Sequence, residues 1–217
     1  MTEVKICGVN SADAFDAAAG AGADWVGFVF VPASPRAVTP SEAAALARRI
    51  AGGPGRVGLF VTPDDEAVRV TLDAVALDAL QVYAGPERAM ALQNRFGLPV
   101  WRAIGIASPA DLPGEAAVAR LLLDASAPNA VLPGGNAHAF DWAMLRGWRP
   151  PAPWVLAGGL TPANVAAAIR ISGAPTVDVS SGVERTRGVK DPALIRSFIA
   201  AVKSNPSNET TARALRR

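Results

Sequence analysis

The feature that most constrains this chain is an alternation running through its length. Short stretches rich in Val, Ile, Leu, Phe and Trp are each followed by a longer, Ala-rich amphipathic stretch. The short stretches fall at 3–8, 25–30, 56–61, 79–83, 100–104, 120–124, 154–157 and 176–179, most of them bounded by Gly or Pro. Several are apolar almost throughout, the pattern of strands in a parallel sheet covered on both faces. The longer stretches carry helix-start signals. Asn10-Ser11 precedes 12–19, Thr39-Pro40-Ser41-Glu42 opens 43–51, Thr62-Pro63-Asp64 opens 65–76 and Gly85-Pro86-Glu87 opens 88–96. Ser108-Pro109 introduces a short helix, 140–146 makes another, Thr161-Pro162 opens 163–171 and Lys190-Asp191-Pro192 opens 193–202. Proline just inside a helix start loses nothing, because its missing N–H would be unpaired there anyway.

Eight strand–helix units with no break in composition predict an α/β fold, a single (β/α)8 TIM barrel over residues 1–203. A doubly wound open sheet is the competing architecture, and it would show a phosphate fingerprint after its first strand. Gly53, Gly55 and Gly58 do spell Gly-x-Gly-x-x-Gly. The string stands ahead of a strand rather than after one, so the dinucleotide reading fails on context.

Composition narrows the function classes. With 50% hydrophobic and 18% charged residues and a net charge of +2, the 217-residue chain is not of the disordered kind. The excess charge sits in 204–217, where Arg213, Arg216 and Arg217 outnumber Glu209, and this polar tail is expected to be disordered. The body is neutral and has no basic patch interleaved with aromatics, so no nucleic-acid partner is expected. No apolar run approaches the roughly 20 residues of a membrane span, so no membrane partner is expected. The acidic N-terminus lacks the pattern of a secretory signal. A single Cys makes no internal disulfide, which points to a reducing, cytoplasmic compartment. One Cys and one His are also too few soft ligands for a typical zinc site, so no metal is expected.

In such a barrel the chemistry gathers at the C-terminal ends of the strands. There the sequence offers Lys5-Ile6-Cys7-Gly8 on strand 1, Ser34-Pro35-Arg36 after strand 2, Asp124 and then Gly134-Gly135-Asn136 at strand 6, Gly158-Gly159 after strand 7, and Asp178-Val179-Ser180-Ser181-Gly182-Val183-Glu184 at strand 8. Glycines let backbone N–H groups approach an anion, and loops 7 and 8 are the usual phosphate site of the fold. Gly158-Gly159 alone could be a tight turn, but two such loops side by side favour phosphate, with Gly158, Gly159, Ser180, Ser181 and Gly182 as the grip. The partner is then a phosphorylated small molecule. Asp124 emerges from Leu121-Leu122-Leu123, and a partly desolvated carboxyl holds its proton more tightly and can act as a general acid near neutrality. A structural, capping aspartate is the alternative. Cys7 is either a small buried apolar residue or a reactive thiol, and its place at the rim beside Gly8 favours the second. His138, in a polar loop without a nucleophile elbow, reads as a surface residue, and the five tryptophans read as packing.

Taken in order, Lys5-Ile6-Cys7-Gly8, Gly27-Phe28-Val29-Phe30 with Ser34-Pro35-Arg36, Val57-Gly58-Leu59-Phe60-Val61, Leu80-Gln81, Leu122-Leu123-Asp124, Phe140-Asp141-Trp142, Leu156-Ala157-Gly158-Gly159-Leu160 and Asp178 to Glu184 resemble the phosphoribosylanthranilate isomerase family across about residues 3–203. That resemblance implies a (β/α)8 enzyme of tryptophan biosynthesis performing an Amadori rearrangement. Its general acid falls on Asp124 and its general base on Cys7. Arg36 matches the arginine that holds the anthranilate carboxylate, and Asp178 lies near the substrate. No cofactor is implied, because the substrate's own imine serves as the electron sink. A monomer is the expectation, with a dimer left open. The chain departs from the family pattern at Tyr83, where His is usual, and at Asn136-Ala137-His138, where the loop usually reads Gly-Gly-Thr-Gly as a whole.

A thiol with a pKa of about 8.5 is only a few per cent ionised at pH 7, so a Cys7 base calls for a lowered pKa. Lys5, two residues away on the same strand face at roughly 7 Å, is one candidate source, with substrate or loop groups as the alternative. Two other readings compete. A histidine-pathway aminoaldose isomerase would carry an aspartate where Cys7 stands, and a non-catalytic phosphate-binding barrel would need neither Cys7 nor Asp124.

Overall fold

The computed structural model describes residues 1–126 and 139–204. The chain runs β1 (Glu3–Cys7), α1 (Ala12–Gly20), β2 (Trp25–Val29), α2 (Pro40–Ala47), β3 (Gly55–Val61), α3 (Asp65–Ala74), β4 (Ala79–Tyr83), α4 (Pro86–Phe96), β5 (Val100–Ile106), β6 (Arg120–Ala125), β7 (Trp154–Leu156), α5 (Val165–Ser172), β8 (Thr176–Val179), a small hairpin of β9 (Glu184–Thr186) and β10 (Val189–Lys190), and α6 (Pro192–Lys203). Strands β1 to β8 pair in chain order into a closed parallel barrel, β8 returning to β1. The expected (β/α)8 barrel is therefore the fold.

Strand alternation sorts the side chains into two apolar compartments. Val4, Ile6, Val26, Phe28, Leu80, Val82, Leu121, Leu123 and Val177 point outward and pack under the helices. Val57, Ala79, Trp101, Ala103, Leu122, Val155 and Ala157 fill the barrel itself. At the N-terminal end of the barrel Arg120 binds Glu3 at 2.7 Å and lies over the Trp25 and Trp101 rings. At the other end Cys7, Val29 and Leu59 form a third, smaller cluster with Tyr83 against it.

The helix-start signals act where they stand. Thr39 and Glu42 make a reciprocal capping box on α2, and Asp64 and Asp191 cap α3 and α6. Two expected helices are corrected. The stretches after Ser108-Pro109 and at 140–146 are single 3-10 turns, Pro109–Asp111 and Trp142–Leu145. In the first, Asp111 folds straight back onto the N–H groups of Ala107 and Ser108, and Pro113-Gly114 follows at once. In the second, Gly147 adopts φ +80° and Pro150-Pro151 follows. Six α-helices are thus seen among the described residues. The glycine string runs into β3, with Gly55 as its first residue and Gly58 inside it, which removes the dinucleotide reading. The Gly134-Gly135-Asn136 loop, His138 and the expected disordered tail, apart from Ser204, lie outside the described residues. No helix among the described residues is long and apolar enough to cross a membrane.

Candidate active site

The inward residues at the C-terminal mouth of the barrel come from strands far apart in sequence. The β1–β8 register sets Lys5 opposite Asp178, and Lys5 Nζ donates to Asp178 Oδ1 at 2.9 Å with both side chains buried. Cys7 lies one inward step above Lys5, across from Gly27. An added Cβ on Gly27 would sit 3.0 Å from the Cys7 sulfur and 3.1 Å from Lys5 Nζ, so the missing side chain is what gives both groups their space. Asp124, at the end of β6 and 7% exposed, accepts at Oδ2 from the Tyr83 hydroxyl at 2.9 Å and at Oδ1 from the Ala125 backbone N–H at 2.9 Å.

Burial dominates the proton affinities here. It pushes the Asp124 carboxyl up to about 6, against the lowering effect of the Tyr83 hydrogen bond; the Asp178 charge adds to the rise and Lys5 opposes it. Burial also raises the Cys7 thiol, and the pull of Lys5 and Lys190 in the other direction does not overcome it. The expected lowering of Cys7 is therefore not what the site produces: Lys5 acts with the anticipated sign, and desolvation wins. Lys5 itself is held above its ordinary value, Asp178 and Cys7 together outweighing the burial that works against its charge.

Loops 7 and 8 meet beside this group. Gly158 and Gly159 take φ of +84° and +61°, and Asn164 closes the turn by donating to Gly159 O at 2.9 Å and accepting from Thr161 N at 2.8 Å. Asp124, Gly158, Gly159, Asp178, Ser180 and Ser181 line one hollow. A Cβ on Gly182 would run into the carbonyl oxygen of Leu160, so only glycine lets the two loops touch. Gly182→Ala is expected to cost about 1–3 kcal/mol of stability through that overpacking. Gly114→Ala, with open space around the same atom, should stay within about 0.5 kcal/mol. Denaturant unfolding of the two variants checks the difference.

Arg36 reaches the rim, but its fork is engaged: Nε and Nη2 donate to Glu184 Oε1 and Oε2 at 2.6 and 3.0 Å. Lys190, buried, donates to Glu184 Oε1 at 2.9 Å and to Ser180 O at 2.8 Å, while Ser180 Oγ donates to the Cys7 carbonyl at 3.1 Å. Burial works against the Glu184 charge, yet Arg36, Lys190 and the Gly188 N–H together bring its pKa down to about 2. The β9–β10 hairpin thereby ties the β2 loop, the β8 loop and β1 together. The sequence reading missed Lys190, which it saw only as part of a helix start, and it held Tyr83 only as a departure from a pattern. Period-two counting from Ala79 through Gln81 would have put Tyr83 on the inner rim; nothing local marks Lys190. No group of three His, Cys, Asp or Glu among the described residues could hold a metal ion.

Comparison with known proteins bears directly on this site. The family model described as N-(5'-phosphoribosyl)anthranilate (PRA) isomerase matches residues 4–201. A relative named N-(5'-phosphoribosyl)anthranilate isomerase, from Granulibacter bethesdensis, is 54% identical over 207 residues, covering 94% of this chain and 99% of its own. The crystal structure of phosphoribosyl anthranilate isomerase from Thermotoga maritima superposes with a TM-score of 0.81 at 32% identity, over 94% of this chain and 99% of that one. Another crystal structure of such an isomerase, in complex with reduced 1-(o-carboxyphenylamino)-1-deoxyribulose 5-phosphate, superposes with a TM-score of 0.80 at 32% identity, with the same coverage. The chain belongs to the N-(5'-phosphoribosyl)anthranilate isomerase family.

Proposed function

We propose that the chain converts N-(5'-phosphoribosyl)anthranilate to 1-(2-carboxyphenylamino)-1-deoxyribulose 5-phosphate, an Amadori rearrangement in tryptophan biosynthesis, with Asp124 as general acid and Cys7 as general base. Protonated Asp124 gives its proton to the ribose ring oxygen as the C1–O bond breaks, and the anthranilate nitrogen lone pair forms the C1=N bond. The Cys7 thiolate takes the proton from C2, and the C2–H electrons pass into the iminium to give an enolamine. The enolamine ketonises at C2 while C1 takes up a proton. No cofactor is needed, since the iminium is the electron sink. Gly158, Gly159, Ser180, Ser181 and Gly182 hold the phosphate with backbone N–H groups and hydroxyls. Arg36, fixed by Glu184, brings positive charge to the anthranilate side, and Asp178 fixes Lys5 beside the base.

The observation that carries this reading is the pairing of a buried carboxyl, with its pKa at about 6, and a buried thiol beside an ammonium in the mouth of one barrel. With the thiol above its ordinary value, the free site rests near pH 7.5 with Asp124 ionised and Cys7 protonated. The reactive form is the proton tautomer of that state. Below about pH 6 both groups are protonated, so the acidic limb of kcat/KM follows Asp124 and the basic limb follows Cys7.

Following anthranilate fluorescence with the substrate generated in situ tests the assignment. Cys7→Ala is expected to lower kcat by about 10²–10⁴ with little change in KM. Full activity of that variant removes Cys7 as the base. A wild-type protein that binds the reduced product analogue without turnover points to a non-catalytic barrel instead.

A further inference from the structure

Tyr83 stands between the two reacting groups. Its ring packs against the cluster of Cys7, Val29 and Leu59, and its hydroxyl donates to Asp124 Oδ2 at 2.9 Å. The other carboxyl oxygen is occupied by the Ala125 N–H at 2.9 Å, which can only donate. Oδ2 is therefore the oxygen that carries the proton in the acid form. A phenol donates much more strongly to a carboxylate than to a carboxylic acid. The Tyr83 bond thus tightens as the proton leaves Oδ2, at the moment the ring oxygen receives it.

We infer that Tyr83 is a positioning residue for the reaction, which fixes the orientation of the Asp124 carboxyl and stabilises the carboxylate formed when Oδ2 gives up its proton. The inference rests on the general-acid role given to Asp124 above. Other charges act on that carboxyl from elsewhere around the barrel mouth: Asp178 on β8 opposes its ionisation, while Lys5 on β1 favours it. The register sets Gly105 on β5 opposite Asp124, Val61 on β3 opposite Tyr83 and Gly27 on β2 opposite Cys7, and Ala157 at the end of β7 lines the same hollow as Asp124; none of these titrates. Among the described residues, Tyr83 is the one neutral side-chain donor on Asp124.

The chain contains a single tyrosine, so growth on 3-fluorotyrosine changes the acidity of this phenol alone. Two perturbations of opposite sign are then available. Tyr83→Phe removes the donor, and the acidic limb of kcat/KM is expected to move up by about one pH unit, tenfold in the acid constant. The fluorinated protein, with a stronger donor, is expected to move the same limb down. A residue that merely filled space would not give shifts of opposite sign. Carbon-13 titration of the Asp124 carboxyl, identified by its loss in Asp124→Asn, reads the same quantity without turnover. If that resonance titrates at one pH in all three proteins, the inference is overturned. If the resonance moves and the kinetic limb does not, Asp124 is not the group on that limb, and the general-acid reading falls first.

Discussion

Asp124→Asn is expected to abolish most turnover, about 10²–10⁴ in kcat, while making the protein more stable near pH 8. The two effects have one cause. The folded chain holds this carboxyl at about 6, some two units above an unfolded aspartate, so its ionised form is disfavoured in the native state by about 2–3 kcal/mol. The sign follows from the proton count. The native state binds the proton more tightly than the unfolded state, so the penalty is complete above about pH 6 and disappears as pH falls to about 4. Asparagine carries no charge to bury, and it can satisfy both neighbours. Its oxygen accepts from the Ala125 N–H, and its NH₂ donates to a Tyr83 hydroxyl that has turned to accept. Thermal unfolding of wild type and variant from pH 4 to 8 checks this. The melting temperatures should be close at pH 4 and separate by several degrees at pH 8, the variant higher. A variant that is less stable at pH 8 contradicts the claim that burial dominates this site.

What made the barrel legible was burial on both faces of the strands, which leaves continuous apolar runs that Gly and Pro punctuate. β4 and β8 match the expected stretches at both ends, and β1 and β2 differ by a single residue at one end. The helices after β5 and β6 were misjudged because a cap says only where a turn begins. Continuation needs an apolar stripe, and Leu112-Pro113-Gly114 and Gly147 cut it off. The β9–β10 hairpin was unreadable for the opposite reason: Glu184–Thr186 is polar and short, and its order comes from Arg36 and Lys190, neither of which marks a strand.

The rim residues were legible by position, since strand ends in a barrel converge on one mouth. Their electrostatics were not. Lys5 and Asp178 are 173 positions apart, and only the β1–β8 register makes them partners. Reading Lys5 from its own strand gave it Cys7 as a neighbour and missed the carboxylate that claims it. Tyr83 shows the same limit, because its partner Asp124 lies 41 positions downstream on a strand that is not adjacent to β4.

Lys5→Met is expected to be the most destabilising single change at this site. Lys5 is fully buried, and its ammonium is the charge that compensates Asp178. Removing it leaves a buried carboxylate without its partner, a loss of about 3–5 kcal/mol. It also removes the nearest positive charge from Cys7, so the thiol is pushed further up and the basic limb of kcat/KM moves to higher pH. Asp124 also rises, but Lys5 acts on it last and on Cys7 first among the charges, so the gap between thiol and carboxyl widens, the reactive tautomer becomes rarer and kcat/KM falls along the plateau. Restoring charge balance separates the structural part from the chemical one. Lys5→Met combined with Asp178→Asn takes away both members of the pair and should recover much of the stability, because replacing a buried pair costs far less than breaking it. It should recover only part of the activity: losing Asp178 relieves some of the rise at the thiol, but the larger lowering effect of the ammonium is still missing. A double variant as active as wild type would show that the Lys5–Asp178 pair, whose members act on the thiol with opposite signs, gives Cys7 no net tuning.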